Sequence, residues 1–357
     1  MRKFTVLISL LLMLTLVLTA CQSGATTTPA ATTAATTTAA GTTATTQASG
    51  DVKIMFIPKN QGNPYFEAII KGFEEAAGTL GITFETTGPA TAEATSQIEY
   101  VEAAVQNGFN VIFIAANSND ALNPTFDAAR EAGVKIVIIN QDIPGSEAHR
   151  DAAILPTDFT IVGASQVECL GQVIDYKGKI AILSATTDAP DQNFWIEGMK
   201  KTLEEDSKYA EMELVEVVYG DDQPEKSTTE MEALMTKYPD LRGVISPTTV
   251  GVSAAAKVVQ TKKKGAEIAV IGLGLPSQMK EFIKDGTIKQ FQLWNPVDQG
   301  YLAAYFGLAL AKGDVEAKEG ATFEAGKLGS FTLGKDAVII TGPPFTFDAS
   351  NIDQFSF

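Results

Sequence analysis

The chain has 357 residues, with 27 lysines and arginines against 43 aspartates and glutamates, a single histidine and two cysteines. Its formal net charge of −16 disfavours binding to a phosphate backbone and so excludes nucleic acid as a partner. One histidine leaves almost nothing for a Ser-His-Asp triad or a zinc site of several histidines, and no catalytic or metal-ligating set is read from the sequence.

Arg2 and Lys3 precede an apolar run over residues 4–17, which Leu18-Thr19-Ala20 closes, the pattern of a secretory signal over residues 1–20. The cysteine that follows resembles the lipobox of bacterial lipoproteins, which implies cleavage before Cys21 and its lipidation as the new amino terminus. Taking Arg2 and Lys3 from the 27 basic residues leaves 25 against 43 acidic ones, a mature charge near −18. No later run reaches the ~18 apolar residues of a membrane span, so the lipid is the expected membrane attachment. Residues 25–46 are almost only threonine and alanine, with nothing large enough to bury. The predicted tether, residues 21–50, has a root-mean-square reach of roughly 30 Å.

Residues 51–77 read DVKIMFIPKNQGNPYFEAIIKGFEEAA. Val52, Ile54, Phe56 and Ile57 make an almost wholly apolar run, as in a parallel strand covered on both faces. Pro58 ends it, five polar or small residues follow, and Pro64 opens a helix whose Phe66, Ile69, Ile70 and Phe73 recur at helical spacing. Strands are then predicted over 82–86, 111–115, 134–139 and 152–156, with helices over 94–107 and 121–132. The pattern restarts with a helix over 160–173, strands over 179–184, 213–219, 243–246 and 268–271, and helices opening near Asp191, Glu225, Thr249 and Pro276. A strand over 290–294 leads to a helix over 300–310 that is apolar nearly all round, and short alternating runs after Gly329 read as added strands.

Strand-helix units in this order mean an α/β fold of two similar doubly wound parallel-sheet lobes joined by a hinge. The first lobe is expected over 51–156 plus about 296–325, the second over 157–295, and residues 326–357 as strands packed on the lobes and hinge. The chain is expected to cross between lobes at 155–158 and again at 294–298. With Cys21 lipidated, Cys169 has no disulfide partner and reads as a buried, inert thiol.

Ligands of open α/β sheets lie at the carboxyl ends of the strands, so the strand exits hold the candidate site. The exits collected are 59–63, 117–120, 140–142, 186–193, 247–249 and 294–295. They are rich in amides and carboxylates, with one ammonium and aromatic neighbours, the groups that a neutral polyhydroxylated ligand requires. The candidate ligand-binding residues are Lys59, Asn63, Tyr65, Phe66, Asn117, Asn140, Asp142, Asp191, Gln192, Trp195, Pro247, Thr249, Trp294 and Asn295. Of Phe194 and Trp195, one is expected to face the pocket and the other its own lobe. Asp191 has a second reading as a helix cap, and Lys59 must either snorkel to water or meet a carboxylate across the cleft. The stretch Gly272-Leu273-Gly274-Leu275-Pro276-Ser277 lacks the third glycine of a dinucleotide fingerprint, and no cofactor is expected.

Several stretches carry a family resemblance: Ile57-Pro58-Lys59 with Asn63-Pro64-Tyr65-Phe66, Ser184-Ala185-Thr186 with Asp191-Gln192-Asn193 and Trp195, Tyr219-Gly220-Asp221-Asp222, and Pro247-Thr248-Thr249-Val250-Gly251-Val252. To these add the Gly272–Ser277 segment, Trp294-Asn295-Pro296, and Phe347-Asp348-Ala349-Ser350-Asn351-Ile352-Asp353. Together they resemble the type I sugar-binding proteins of bacterial ABC importers, in the branch that holds the rhamnose-binding proteins and the receptors for autoinducer-2. The resemblance to those receptors implies pocket roles for Lys59, Asn140 or Asp142, Asp191, Gln192, Pro247 and Thr249. Thr249 stands where the receptors have alanine, and Asn140 where they have aspartate unless Asp142 serves instead. The Thr-Thr-Val-Gly-Val, Gly-Leu-Gly-Leu-Pro-Ser and Trp-Asn-Pro stretches are similar to the rhamnose-binding proteins. What the resemblance implies is a non-enzymatic, monomeric capture protein outside the cell for rhamnose or a related deoxysugar, with autoinducer-2 as the alternative. Its partners would be a membrane permease and that permease's ATPase. The rival readings are a secreted glycosidase built on two of these carboxylates and a signalling co-receptor.

Overall fold

The computed structural model describes residues 52–357, so the secretory signal, Cys21 and the tether expected before them lie outside the described residues. The first lobe runs β1 (Lys53–Ile57), α1 (Pro64–Leu80), β2 (Thr83–Thr86), α2 (Ile98–Gln106), β3 (Val111–Ile114), α3 (Asn123–Glu131), β4 (Lys135–Ile139) and β5 (Ala152–Leu155). The second runs α4 (Phe159–Ile174), β6 (Lys177–Ser184), α5 (Pro190–Glu205), β7 (Glu211–Tyr219), α6 (Pro224–Lys237), β8 (Leu241–Ser246), α7 (Thr249–Thr261), β9 (Ala269–Gly272), α8 (Pro276–Lys284) and β10 (Gln290–Leu293). The chain closes with α9 (Pro296–Lys312), β11 (Thr322–Glu324), β12 (Ser330–Thr332), β13 (Val338–Ile340) and β14 (Phe345–Asp348).

The first sheet is all parallel in the order β13-β5-β4-β3-β1-β2, and the second in the order β7-β6-β8-β9. A parallel bridge from Leu273 to Gln292 continues the second sheet towards β10, which pairs antiparallel with β14. Both lobes thus place their opening strand second in the sheet, flanked on one side by the strand that follows and on the other by the next. The chain direction across the sheet reverses there, and helices leave on opposite faces, which opens a crevice at the carboxyl ends of β1 and β3, and of β6 and β8.

The apolar runs alternate between two cores because successive strand residues face opposite ways. Ile54, Phe56, Val111 and Phe113 face the side of α1 and α9, whereas Met55, Ile57, Ile112 and Ile114 belong to a separate cluster with Val101, Phe126 and Ala129 of α2 and α3. On the first side α1 and α9 approach backbone to backbone: a Cβ on Gly72 would overlap the Val297 carbonyl, and one on Gly300 would overlap that of Ile69. In the second lobe Gly163 of α4 meets the backbone of α5 in the same way.

α9 begins at Pro296, four residues before the helix predicted over 300–310, because Asn295 caps it by accepting from the Val297 N–H at 3.1 Å. The second crossing is therefore the two residues Trp294-Asn295 between β10 and α9, and not the longer segment expected to Asp298. α2 starts later than expected, at Ile98, with residues 94–97 forming turns. A third crossing, absent from the sequence reading, runs over 341–344: β13 extends the first sheet, and β14 joins β10. It is tied to the first crossing by Thr341 N–H to the Leu155 carbonyl at 2.9 Å and Gly342 N–H to the Pro156 carbonyl at 3.2 Å. Cys169 is buried, and burial raises its thiol to about 12, so it stays protonated and unreactive at neutral pH. No helix among the described residues is long and apolar enough to cross a membrane.

Candidate ligand-binding site

The loop after β1 carries Lys59, and its shape is set from behind. Gln97, fully buried, donates to the carbonyls of Pro58 at 2.9 Å and Ala115 at 2.8 Å and accepts from the Asn117 N–H. Asn117 in turn donates its amide to the Lys59 carbonyl at 2.9 Å. With its backbone fixed, Lys59 sends its ammonium across to the second lobe, where Nζ lies 2.6 Å from Asp191 Oδ1. Both side chains are only 4% exposed, so the lysine takes the carboxylate option and not the route to water. Asp191 does not cap its helix, since Ala189 holds that position; its second oxygen accepts from Asn140 Nδ2 at 3.2 Å, again from the first lobe. Asn140 achieves this from a left-handed backbone, φ 75°, a conformation that asparagine tolerates and that bulky side chains resist.

Around this cross-lobe cluster the residues line a narrow slot with a cavity volume of about 40 Å³. The walls stand close, so an occupant must be compact and touch both lobes. Tyr65, Phe66, Trp195 and Trp294 supply aromatic walls; the two indoles lie 5.8 Å apart, and Phe159 packs edge-on to Trp195 at 4.9 Å. Trp294 Nε1 donates to the Tyr65 hydroxyl at 2.6 Å, which pins the residue at the second crossing to the start of α1. Gln192 has its carbonyl oxygen held by Ser184 Oγ at 2.6 Å and the Ala185 N–H at 2.8 Å, which leaves its amide nitrogen for a ligand. Trp195 Nε1 and Asn140 Oδ1, one donor and one acceptor, are buried on the slot wall with no hydrogen-bond partner among the described residues.

Eleven of the fourteen candidate residues line this slot: Lys59, Asn63, Tyr65, Phe66, Asn140, Asp191, Gln192, Trp195, Pro247, Thr249 and Trp294. Three do not. Asn117 lies behind Lys59 as its support. Asp142 is turned away to Arg150, which grips both carboxylate oxygens with Nε and Nη2 at 2.5 Å, so between the two alternatives after β4 it is Asn140 that reaches the slot. Asn295 spends its side chain on capping α9 and on Asp298. Phe194, expected to face its own lobe if Trp195 faces the pocket, is 45% exposed instead.

The slot also contains Asp222, Thr248, Leu273 and Leu293, which sequence reasoning did not select. Asp222 follows β7, whose exit is missing from the polar exits collected; its place after a predicted strand was the available signal. The carboxyl accepts a hydrogen bond from Thr248 Oγ1, and burial raises it above the usual aspartate range, with Lys59 opposing. The Lys59 ammonium is paired with the Asp191 carboxylate, and the slot is rich in hydrogen-bonding ends.

A model of the periplasmic binding protein domain matches residues 54–314. A crystal structure of a sugar ABC transporter protein from Actinomyces odontolyticus is 39% identical, covering 86% of this chain and 98% of that one, with a TM-score of 0.69. An ABC transporter solute-binding protein from Clostridium phytofermentas, solved with bound L-rhamnose, is 31% identical over 86% of this chain and 98% of its own, with a TM-score of 0.81. The xylose/arabinose-binding protein of Sulfolobus acidocaldarius is 24% identical over 262 residues, 70% of this chain; the match spans 64% of that protein's length.

Proposed function

Because the chain belongs to the periplasmic binding protein family, a family of solute-binding proteins of ABC importers with the type I fold, we propose that it captures a neutral sugar between its lobes and delivers it to a membrane permease. The favoured ligand is L-rhamnose or a related deoxysugar. The observation that carries this is the buried Lys59–Asp191–Asn140 cluster, drawn from both lobes, with its ammonium and carboxylate paired and set against two indole rings. Carboxylates accept sugar hydroxyls, the ammonium and the free indole N–H donate to them, and the rings cover the apolar face of a deoxysugar. Lys59 and Asn140 lie on one lobe and Asp191 and Gln192 on the other, so the ligand makes its full set of bonds only in the closed form. It shifts the open-closed equilibrium by that difference in affinity.

The second reading is autoinducer-2 capture, favoured by the placement of Lys59, Asp191, Gln192 and Pro247 on one slot and opposed by Thr249 in place of alanine. In either case Cys21 carries the lipid that holds a monomer at the outer face of the cytoplasmic membrane, and the closed form docks on a permease driven by its own ATPase. Thermal shift followed by calorimetry against L-rhamnose, other monosaccharides and autoinducer-2 tests the reading. At a hundredfold excess over Kd a true ligand adds about 2.7 kcal/mol of stability. A melting temperature that none of these compounds moves overturns it.

A further inference from the structure

Trp294 stands in the crossing from β10 to α9, so its place in the chain leaves open which lobe its side chain moves with. The hydrogen bonds decide it. An indole N–H can only donate, and that of Trp294 donates to the Tyr65 hydroxyl at 2.6 Å. The hydroxyl proton then needs an acceptor of its own, and the one in reach among the described residues is Gln299 Oε1 at 3.4 Å, the longest link of the set. The Gln299 amide is oriented from its other end, where Nε2 donates to the Ile154 carbonyl at 3.1 Å. That same carbonyl accepts from the Asn140 N–H at 2.9 Å. A directed relay thus runs from one slot wall, through the first turns of α1 and α9, to the end of β5 and back to a second slot residue, Asn140.

Every member of the relay other than Trp294 belongs to the first lobe. Tyr65 and Gln299 are carried by α1 and α9, whose backbones meet at Gly72 and Gly300, so the two side chains sit on one rigid pair. Gln299 is fully buried and does not line the slot. The facing indole, Trp195, lies 5.8 Å away on α5 of the second lobe, packed by Phe159 and with no hydrogen-bond partner for its N–H among the described residues.

We propose that Gln299 is a positioning residue for ligand capture: through Tyr65 it fixes the Trp294 indole to the first lobe, so that the second crossing pivots at or before Trp294 and the two indoles part when the cleft opens. This inference rests on the sugar-capture reading and deepens it, because it assigns one aromatic wall of the slot to each lobe. Without the Gln299 acceptor the buried Tyr65 hydroxyl has nowhere to send its proton, and its hold on the indole is lost. A ligand that closes the cleft must then order the indole first, at a cost in affinity.

The chain has two tryptophans, so the full-length protein labelled with 15N-tryptophan gives one indole N–H resonance for each. The Trp294 resonance, assigned by its loss in Trp294→Phe, is expected to be protected from solvent exchange both with and without L-rhamnose, since donor and acceptor ride on the same lobe. Gln299→Met, which keeps an unbranched chain of similar length without the amide, is expected to shift that resonance, to speed its exchange about tenfold or more and to weaken L-rhamnose about tenfold in calorimetry. Leu310→Ala, a core truncation further along α9, is expected to lower the melting temperature while the Trp294 resonance stays in place and the affinity stays within about threefold. Fast exchange of the Trp294 N–H in the ligand-free parent, a measurement that needs no variant to fold, overturns the inference alone. So does a Trp294 resonance that Gln299→Met leaves unmoved, or an equal loss of affinity in Leu310→Ala. A parent that binds no sugar overturns the capture reading and this inference with it.

Discussion

Replacing Asp191 with alanine removes the carboxylate that receives Lys59 Nζ at 2.6 Å and Asn140 Nδ2 at 3.2 Å from the opposite lobe. In a closed cleft the change would strand an ammonium that is only 4% exposed, and breaking a buried pair in this way costs about 3–5 kcal/mol. The two-lobed architecture gives Lys59 an escape, because opening the cleft returns it to water. The penalty therefore falls on closure and not on folding. Ligand binding, which needs the closed form, is expected to weaken by about 2–5 kcal/mol, or about 30- to 5,000-fold, while the ligand-free melting temperature moves little. Calorimetry with L-rhamnose reads the first quantity and a thermal melt the second. Small-angle scattering is expected to show a larger radius of gyration in the variant at saturating sugar. Asp191→Asn, which keeps an acceptor for Asn140 but not the charge for Lys59, should fall between. An Asp191→Ala protein that binds L-rhamnose with unaltered affinity would refute the whole argument from the cross-lobe cluster.

Both tryptophans of the chain, Trp195 and Trp294, stand on the slot wall, so saturating sugar is expected to change intrinsic emission. Unchanged emission at concentrations that calorimetry shows to be saturating would contradict their placement. Asp222→Asn keeps the acceptor for Thr248 but removes a carboxyl whose folded-state pKa is raised by burial. Such a group favours the fold below its unfolded pKa, near 4, and loses that contribution as pH rises through the raised value. The variant should melt higher than the parent at pH 7, lose the advantage near pH 3 and bind sugar more weakly; a lower melting temperature at pH 7 would count against the assignment. Gly300→Ala puts a methyl into the Ile69 carbonyl, so α1 and α9 must separate, at a cost of about 1–3 kcal/mol. An unchanged melt in that variant would mean that the helices are not in backbone contact.

Much of this molecule was legible in one dimension. Apolar runs of four to six residues, each ended by a polar exit and followed by a helix, fix a parallel sheet with its strands buried on both faces, and their recurrence after residue 156 fixes the second lobe. The exits then narrow the site to a few loops, because backbone topology puts strand carboxyl ends on one rim whatever the side chains do. Within those loops the sequence could not choose. Asn140 and Asp142 are two residues apart, and only the Arg150 side chain, eight residues beyond Asp142, takes the aspartate out of the slot. Asn295 and Asn63 both cap helices, yet one lines the slot and the other does not. Asp222 enters it through two left-handed residues that no periodicity announces. The distinction has a plain physical cause: burial period is a property of neighbours along the chain, whereas which polar atom faces a cleft is settled by competition among partners far apart in sequence, such as Arg150 with the Asp336 carbonyl 186 residues away and Trp294 with the Tyr65 hydroxyl 229 residues away, and that competition exists only once the lobes are folded.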